Sequence, residues 1–335
     1  MRSTRWDLCR EFACRGASFD CGSVVSPHTR PFRFGVEMKG PFDGCTWADS
    51  ARAVEALGCS TLFVPDHFHS GLGPFTAMAT ALAATTTLTV APMVMACDFR
   101  HPAVAAKEFA SLDLIFPGRV EVGLGAGYNP LDYSRSGIKM DPPGRRVTRL
   151  MEYVRVLRLL FTGDVVSFAG LEFSLQDIEG TPVPTTPGGP RILVAGGGPR
   201  LLNFAGAEAD IVGVNPTTAN GLNNADTFRD ALPTPIDAKV ALVRAAAGAR
   251  WDDLELNAWI SMAAVTNDPH ERVAGLAMYA GVSTDDVLAS PIMLVGSEAE
   301  IVERLHERRE RWGYSYVCVP GPQLLELSGV ISQLG

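Results

Sequence analysis

From Phe32 onward the chain alternates between short apolar, β-branched runs and longer stretches with apolar residues at every third or fourth position. The runs occupy 32–37, 61–65, 88–94, 119–124, 191–195, 210–215, 254–265 and 316–320. Several are continuously apolar, as in Ile192-Leu193-Val194, the pattern of parallel strands covered on both faces. Between them, residues 46–57 place Trp47, Ala51, Val54 and Leu57 on one helical face, and Gly58 supplies the stop. Residues 145–161 repeat this with Val147, Leu150, Val154, Leu157 and Phe161. Further helical segments fall at 75–84, 104–115, 199–207 and 299–312, the last charged along one face and expected on an outer wall. Strand and helix in regular turn predict βα units around a parallel sheet, and eight runs predict an α/β fold of the (β/α)8 barrel type.

Two stretches interrupt the rhythm. Residues 162–190 predict a small hairpin, 165–168 with 171–175 around Ala169-Gly170, followed by a loop containing Pro182, Pro184, Pro187 and Pro190. Residues 265–294 predict a second insertion before the last strand. A doubly wound open sheet is the competing architecture, but it carries its glycine-rich turn after the first strand. Here the glycine-rich turns follow the fourth and fifth runs, which favours the barrel. Residues 1–31 carry three of the seven cysteines and no clear period, and are expected to be a disordered extension or the product of an early start codon, leaving 32–335 as one barrel domain.

Composition narrows the function classes. The 335 residues carry a net charge of −8 and no basic run, so nucleic acid and anionic membrane are not expected partners. No apolar run reaches the roughly 18 residues of a membrane span, and no secretory signal is evident. The odd number of cysteines matches no zinc spacing and fits reduced thiols in the cytoplasm. A phosphate-bearing ligand would need local help from backbone N–H groups or one placed arginine.

Polar residues at the carboxyl ends of barrel strands are where catalytic groups are expected. The second run ends in Asp66-His67-Phe68-His69. His67 is the candidate proton donor or acceptor, because its charge changes near neutrality, and Asp66 is the candidate to orient it or touch a cofactor ring. His67 and His69 also share one face of a strand and could ligate a metal in a barrel hydrolase. The other histidines, His28, His101, His270 and His306, stand at no later strand end, so no metal is expected. The fourth run ends in Gly125-Ala126-Gly127-Tyr128-Asn129, whose glycines allow a flat ring close to the backbone and whose Asn129 could bond it. The fifth ends in Ala195-Gly196-Gly197-Gly198-Pro199, a turn into a helix N-terminus that suits a phosphate. Arg100, beyond the third run, reads equally as a pocket cation or a solvated charge.

These segments together resemble the luciferase-like monooxygenase superfamily, and within it the branch that uses the deazaflavin coenzyme F420. The resemblance rests on 57–68, 100–127, 144–168 and 191–202 and covers 32–215 well. It implies that His67 faces the reactive carbon of the cofactor, with Asp66 beside it. It also implies that Pro92-Met93 forms the bulge behind the ring, with a non-prolyl cis peptide there. Gly125 to Asn129 would line the ring, and Ala195 to Gly198 would hold the phosphate of its tail. FMN is the alternative cofactor, in an oxygen-using monooxygenase. Members of this branch that oxidise sugar phosphates carry a Trp after the Asp-His-Phe and a Glu after the Gly-x-Gly; here the sequence has His69-Ser70-Gly71 and Tyr128-Asn129. A different, more apolar small organic substrate is therefore expected, in an enzyme that the resemblance implies is a homodimer.

Overall fold

The computed structural model describes residues 30–218, 221 and 224–335; the expectation for the N-terminal extension lies outside them up to residue 29. The parallel strands are β1 (Arg33–Glu37), β2 (Thr61–Val64), β3 (Thr89–Pro92), β4 (Met95–Ala96) and β5 (Glu121–Gly125). After a surface hairpin, β6 (Val165–Ala169) with β7 (Ser174–Glu179), come β8 (Arg191–Gly196), β9 (Ile211–Val214) and β10 (Glu255–Trp259). The side strands β11 (Met262–Val265) and β12 (Met293–Gly296) precede the last barrel strand, β13 (Tyr314–Pro320).

Nine segments run side by side in the order β3-β2-β1-β13-β10-β9-β8-β5-β4. β4 continues β3 beyond a bulge and pairs with the end of β5, Met95 beside Leu124 and Ala96 beside Gly125. A bridge between Val90 and Val120 joins the two edges. The nine segments are thus eight staves of a closed, luciferase-like (β/α)8 barrel, with β3 and β4 forming one stave. Burial of all four residues in β2, β9 and β12 explains why these runs show no polar alternation.

Two expectations need correction. The run 254–265 is two strands, because the chain changes partners at its centre: the Ile260 N–H donates to Cys318 of the barrel, and the Ser261 N–H to Ile292 of the side sheet. Only Ser261 marks the join, and one serine within an apolar run does not announce a break. The hairpin's second strand starts later than 171–175, since the Glu152 carboxylate accepts from the N–H groups of Leu171, Glu172 and Phe173 and holds them as a turn. The expected insertion at 265–294 is a small folded unit. It contains the helices Pro269–Ala280 and Thr284–Ala289 and has its own core, which includes Val273, Ala277, Val287 and Met293.

Inside the barrel, side chains stack in layers. At the amino end Arg33 reaches Glu121 at 2.8 Å and Glu255 at 2.8 Å, and Arg191 reaches Glu255 at 2.8 Å. The Tyr316 hydroxyl donates to Glu121 at 3.0 Å. Above this ionic floor lie Phe63, Ala91, Met93, Leu193 and Cys318. Since Arg33 and Glu37 alternate with outward Phe34 and Val36 on one strand, Glu37 rises at the opposite, carboxyl end, where barrel enzymes place their chemistry.

Candidate active site

β2 is followed by the irregular segment that carries Asp66, His67 and His69. The helix Pro130–Ser136, just beyond β5, stands over it. This helix starts where Asn129 Oδ1 accepts from the Leu131 N–H at 3.1 Å, with Pro130 in the first turn. Asp132, also in that turn, is buried and receives three bonds. His67 Nδ1 lies 2.7 Å from Oδ2, the Phe68 N–H donates to Oδ1 at 2.9 Å, and His69 Nδ1 lies 3.2 Å from Oδ1. Burial opposes ionisation of Asp132, but these bonds outweigh it and hold the carboxyl below its ordinary range. An ionised Asp132 requires an N–H at His67 Nδ1, which leaves Nε2 as the atom able to take or hold a proton.

The carboxylate that orients His67 is therefore Asp132 and not its neighbour Asp66. Asp66 is buried and bound by Arg100, with Nη1 2.6 Å from Oδ2, which also settles Arg100 as an ion-pair partner. The bulge sits one residue later than expected, with the non-prolyl cis bond between Met93 and Val94, not Pro92 and Met93. The glycines of β5 follow from that bulge. A Cβ on Gly123 would lie 1.9 Å from the Pro92 carbonyl oxygen, and one on Gly125 would lie 2.5 Å from a Val94 methyl. These positions accommodate the neighbouring stave, whatever else they accommodate.

Tyr128 is exposed at the mouth, its ring edge-on to His67 at 6.0 Å between centroids. Gly127 is at φ 69°, where a Cβ would meet the Tyr133 hydroxyl, and its carbonyl and that of Ala126 accept from Arg146. At the end of β8, Ala195 is buried and Gly196 and Gly197 are half-buried. Gly198 is the N-cap of the helix Pro199–Glu208, and no side chain caps that helix. A Cβ on Gly197 would sit 2.5 Å from the Asn215 carbonyl oxygen, whereas one on Gly198 would meet nothing within 4 Å.

Glu37 escaped the sequence reading. It sits at the end of β1, and the Trp259 indole N–H donates to its Oε2 at 2.8 Å. Burial raises its carboxyl above the ordinary range against the opposing pull of Trp259, Lys39 and His67. The available signal was alternation along β1, which puts Arg33, Gly35 and Glu37 on the inner face. Asp132 also escaped it, although Asn129-Pro130 is a helix-start signal. The metal question shifts accordingly: His67, His69 and Asp132 offer ligand atoms within 4.8 Å of one another, so a third candidate ligand comes from a helix and not from a strand end.

Fold and mouth together define an eight-staved barrel whose candidate chemistry gathers at the carboxyl ends of β1, β2, β5 and β8. The chain belongs to the luciferase-like monooxygenase family, whose profile matches residues 45–316. Among curated proteins it is similar to the F420-dependent glucose-6-phosphate dehydrogenase of Mycobacterium avium (strain 104), 36% identical over 170 residues, 48% of this chain and 50% of that one. The chain thus spans about half the length of that relative. A longer match, 26% identical over 299 residues, covers 82% of this chain and 88% of the enzyme of the same name from Intrasporangium calvum. Among solved structures, the coenzyme F420 dependent tetrahydromethanopterin reductase from Methanopyrus kandleri superposes with a TM-score of 0.72 at 18% identity, covering 91% of this chain and 100% of that one; this likeness concerns the fold. Among the described residues no helix is long and apolar enough to cross a membrane.

Proposed function

We propose that this protein is an oxidoreductase that uses coenzyme F420 to move a hydride to or from a small organic molecule. The observation that carries the reading is the Asp132 clamp, which fixes His67 at 2.7 Å at the barrel mouth. The curated relatives named above support the choice of deazaflavin. The residues present fit such a cofactor. The uncapped turn Gly196-Gly197-Gly198 offers backbone N–H groups and open space at Gly198 for a phosphate. Two buried polar atoms without a protein partner, Ser70 Oγ and Asn215 Oδ1, belong to the strand-end segments that would flank the cofactor.

When bound, the deazaflavin supplies a ring carbon that gives or takes hydride. The chain does the rest. Met93 and Val94 would back the ring, with Pro92 beside them. Gly125, Ala126, Gly127, Tyr128 and Asn129 would border it, Asn129 through its amide N–H because its oxygen caps the helix. Asp66, held by Arg100, would face the ring edge, and Ala195 to Gly198 would hold the phosphate. Asp132 keeps the N–H of His67 on Nδ1, so Nε2 exchanges the proton that accompanies hydride transfer. Replacing His67 with Ala is expected to leave F420 affinity intact and lower turnover, followed at the deazaflavin absorbance, by about 10²–10⁴-fold. Unchanged turnover with intact binding would remove His67 from the mechanism.

The same barrel mouth suits FMN and oxygen chemistry, and the family name supports that alternative. A metal-dependent hydrolase is the reading from another class, favoured by the His67–His69–Asp132 group. Against it, Asp132 is already satisfied by two imidazoles and a backbone N–H. About one zinc per chain in the purified protein, with no affinity for either flavin, would favour the hydrolase. We further propose a cytoplasmic homodimer with no nucleic-acid or membrane partner. The net charge of −8 supports the absence of such partners, and the buried, unbridged Cys59, Cys97 and Cys318 support a reducing compartment.

A further inference from the structure

Beside the histidine clamp, on the side of the mouth formed by β1, β10 and β13, lies a chamber of about 570 Å³. That volume is within the roughly 300–1,000 Å³ of small-molecule sites. Its wall includes Met38, Phe42, Leu57, Trp259, Pro320 and Leu325. The indole N–H of Trp259 is spent on Glu37, so the ring serves the chamber as apolar surface. Glu37 ties the chamber to the candidate active site, because it lines the one and lies near enough to His67 and Tyr128 to act on both electrostatically.

The charges around the chamber decide what it can take. Among the described residues its charged lining is Glu37, Lys39 and Asp43, so it offers an anion one ammonium. A phosphate monoester brings about −1.5 to −2 more at neutral pH. Three arginines around the mouth are committed elsewhere: Arg100 to Asp66, Arg146 to the carbonyls of Ala126 and Gly127, and Arg149 to Asp98, Asp141 and Glu172. A sugar phosphate would therefore find one ammonium for its charge and an apolar wall, and would lose water from its hydroxyls with few partners to replace it.

We propose that this chamber is the substrate subsite and that it takes an uncharged, largely apolar organic molecule rather than a sugar phosphate. The proposal rests on the oxidoreductase reading for calling the occupant a substrate; the binding itself is independent of it. The glucose-6-phosphate named for the curated relatives is then the wrong substrate class for this chain, and the loop 38–43 together with the turn after β13 sets specificity.

The test uses the full chain and the neutral fluorescent probe N-phenyl-1-naphthylamine. Saturable binding with increased emission is expected, and Leu325→Asp should weaken it at least tenfold. Leu325 is 45% exposed, so the substitution spares the fold, which thermal melting verifies. Trp259→Phe, which keeps the apolar wall, should retain most of the affinity. Glucose-6-phosphate is expected to give no heat in calorimetry at millimolar concentration. Probe binding indifferent to Leu325→Asp, or glucose-6-phosphate binding that Leu325→Asp weakens, would overturn the proposal. Titrating F420 in parallel separates the two claims. Intact F420 affinity with no chamber binding sinks the subsite alone, while chamber binding with no F420 affinity sinks the cofactor reading and leaves the subsite.

Discussion

Asp132 gives His67 a defined role by fixing which ring nitrogen carries the proton. With Nδ1 2.7 Å from Oδ2, ¹⁵N spectra of the protein should show the Nδ1–H tautomer for neutral His67. Asp132→Asn should disturb that preference and lower turnover by about 10²-fold, the scale of a misplaced catalytic group. An Nε2–H tautomer in the parent protein would contradict the assignment. Gly198 permits a second test at the same scale. Its backbone is extended, at φ −78° and ψ 144°, and a Cβ there has open space. Gly198→Asp should therefore fold normally, and its carboxylate should cap the helix and stabilise it by about a few tenths of a kcal/mol. The same carboxylate would repel a phosphate, so F420 affinity should fall at least tenfold while the melting temperature holds or rises. Unchanged affinity would place the cofactor's phosphate elsewhere.

Among the elements, the junction of β3, β4 and β5 is the least tolerant. Gly123→Ala would put a methyl 1.9 Å from the Pro92 carbonyl oxygen, backbone that has no rotamer to yield. A loss of about 3 kcal/mol is expected in denaturant unfolding, against about 1 kcal/mol or less for an alanine at the N-cap Gly198, where only capping is lost. This junction also shows what the sequence made legible. All eight barrel runs stood out because buried parallel strands are rich in apolar, β-branched residues, and His67 stood out because it follows one of them. The Pro92–Val94 bulge was visible only as a resemblance and fell one residue off. The break within 254–265 was missed, because Ser261 at the change of partner reads as one more position of a single run. Asp132 was hidden for a different reason. It lies 65 positions from His67, and nothing local to either residue states that a helix after β5 comes to rest on the loop after β2. Glu37 looked like the polar end of a strand, and only closure of the barrel brings Trp259 to it.

For the whole molecule, stability and function occupy opposite ends of one barrel. The floor network of Arg33, Arg191, Glu121 and Glu255 closes the amino end. Burial works against ionised Glu255, yet Arg33 and Arg191 draw its carboxyl down from 4.5 to about 2. A carboxyl depressed on folding stabilises above its unfolded value, and that contribution is lost as protons bind. Stability should therefore hold above about pH 4.5 and decline as the pH falls from 4.5 toward 2. Glu255→Gln should flatten that decline and cost on the order of 3 kcal/mol at neutral pH, because Arg33 and Arg191 lose the charge of the carboxylate they share. A variant as stable as the parent at pH 7 would show that the floor is not held by this pair. At the other end, burial of Glu37, the Asp132 clamp, the Gly196–Gly198 turn and the apolar chamber converge on one mouth.

The central claim is that this mouth holds a deazaflavin, and the most direct measurement is a titration of the purified protein with F420 and, separately, with FMN, followed by quenching of tryptophan fluorescence. Trp259 at the mouth makes quenching by a ring bound there an expected signal. Saturable quenching by F420, with FMN weaker by tenfold or more, is the result this account requires. Tight binding of FMN alone would make the protein an oxygen-using monooxygenase on the same barrel, and binding of neither would contradict the cofactor site altogether.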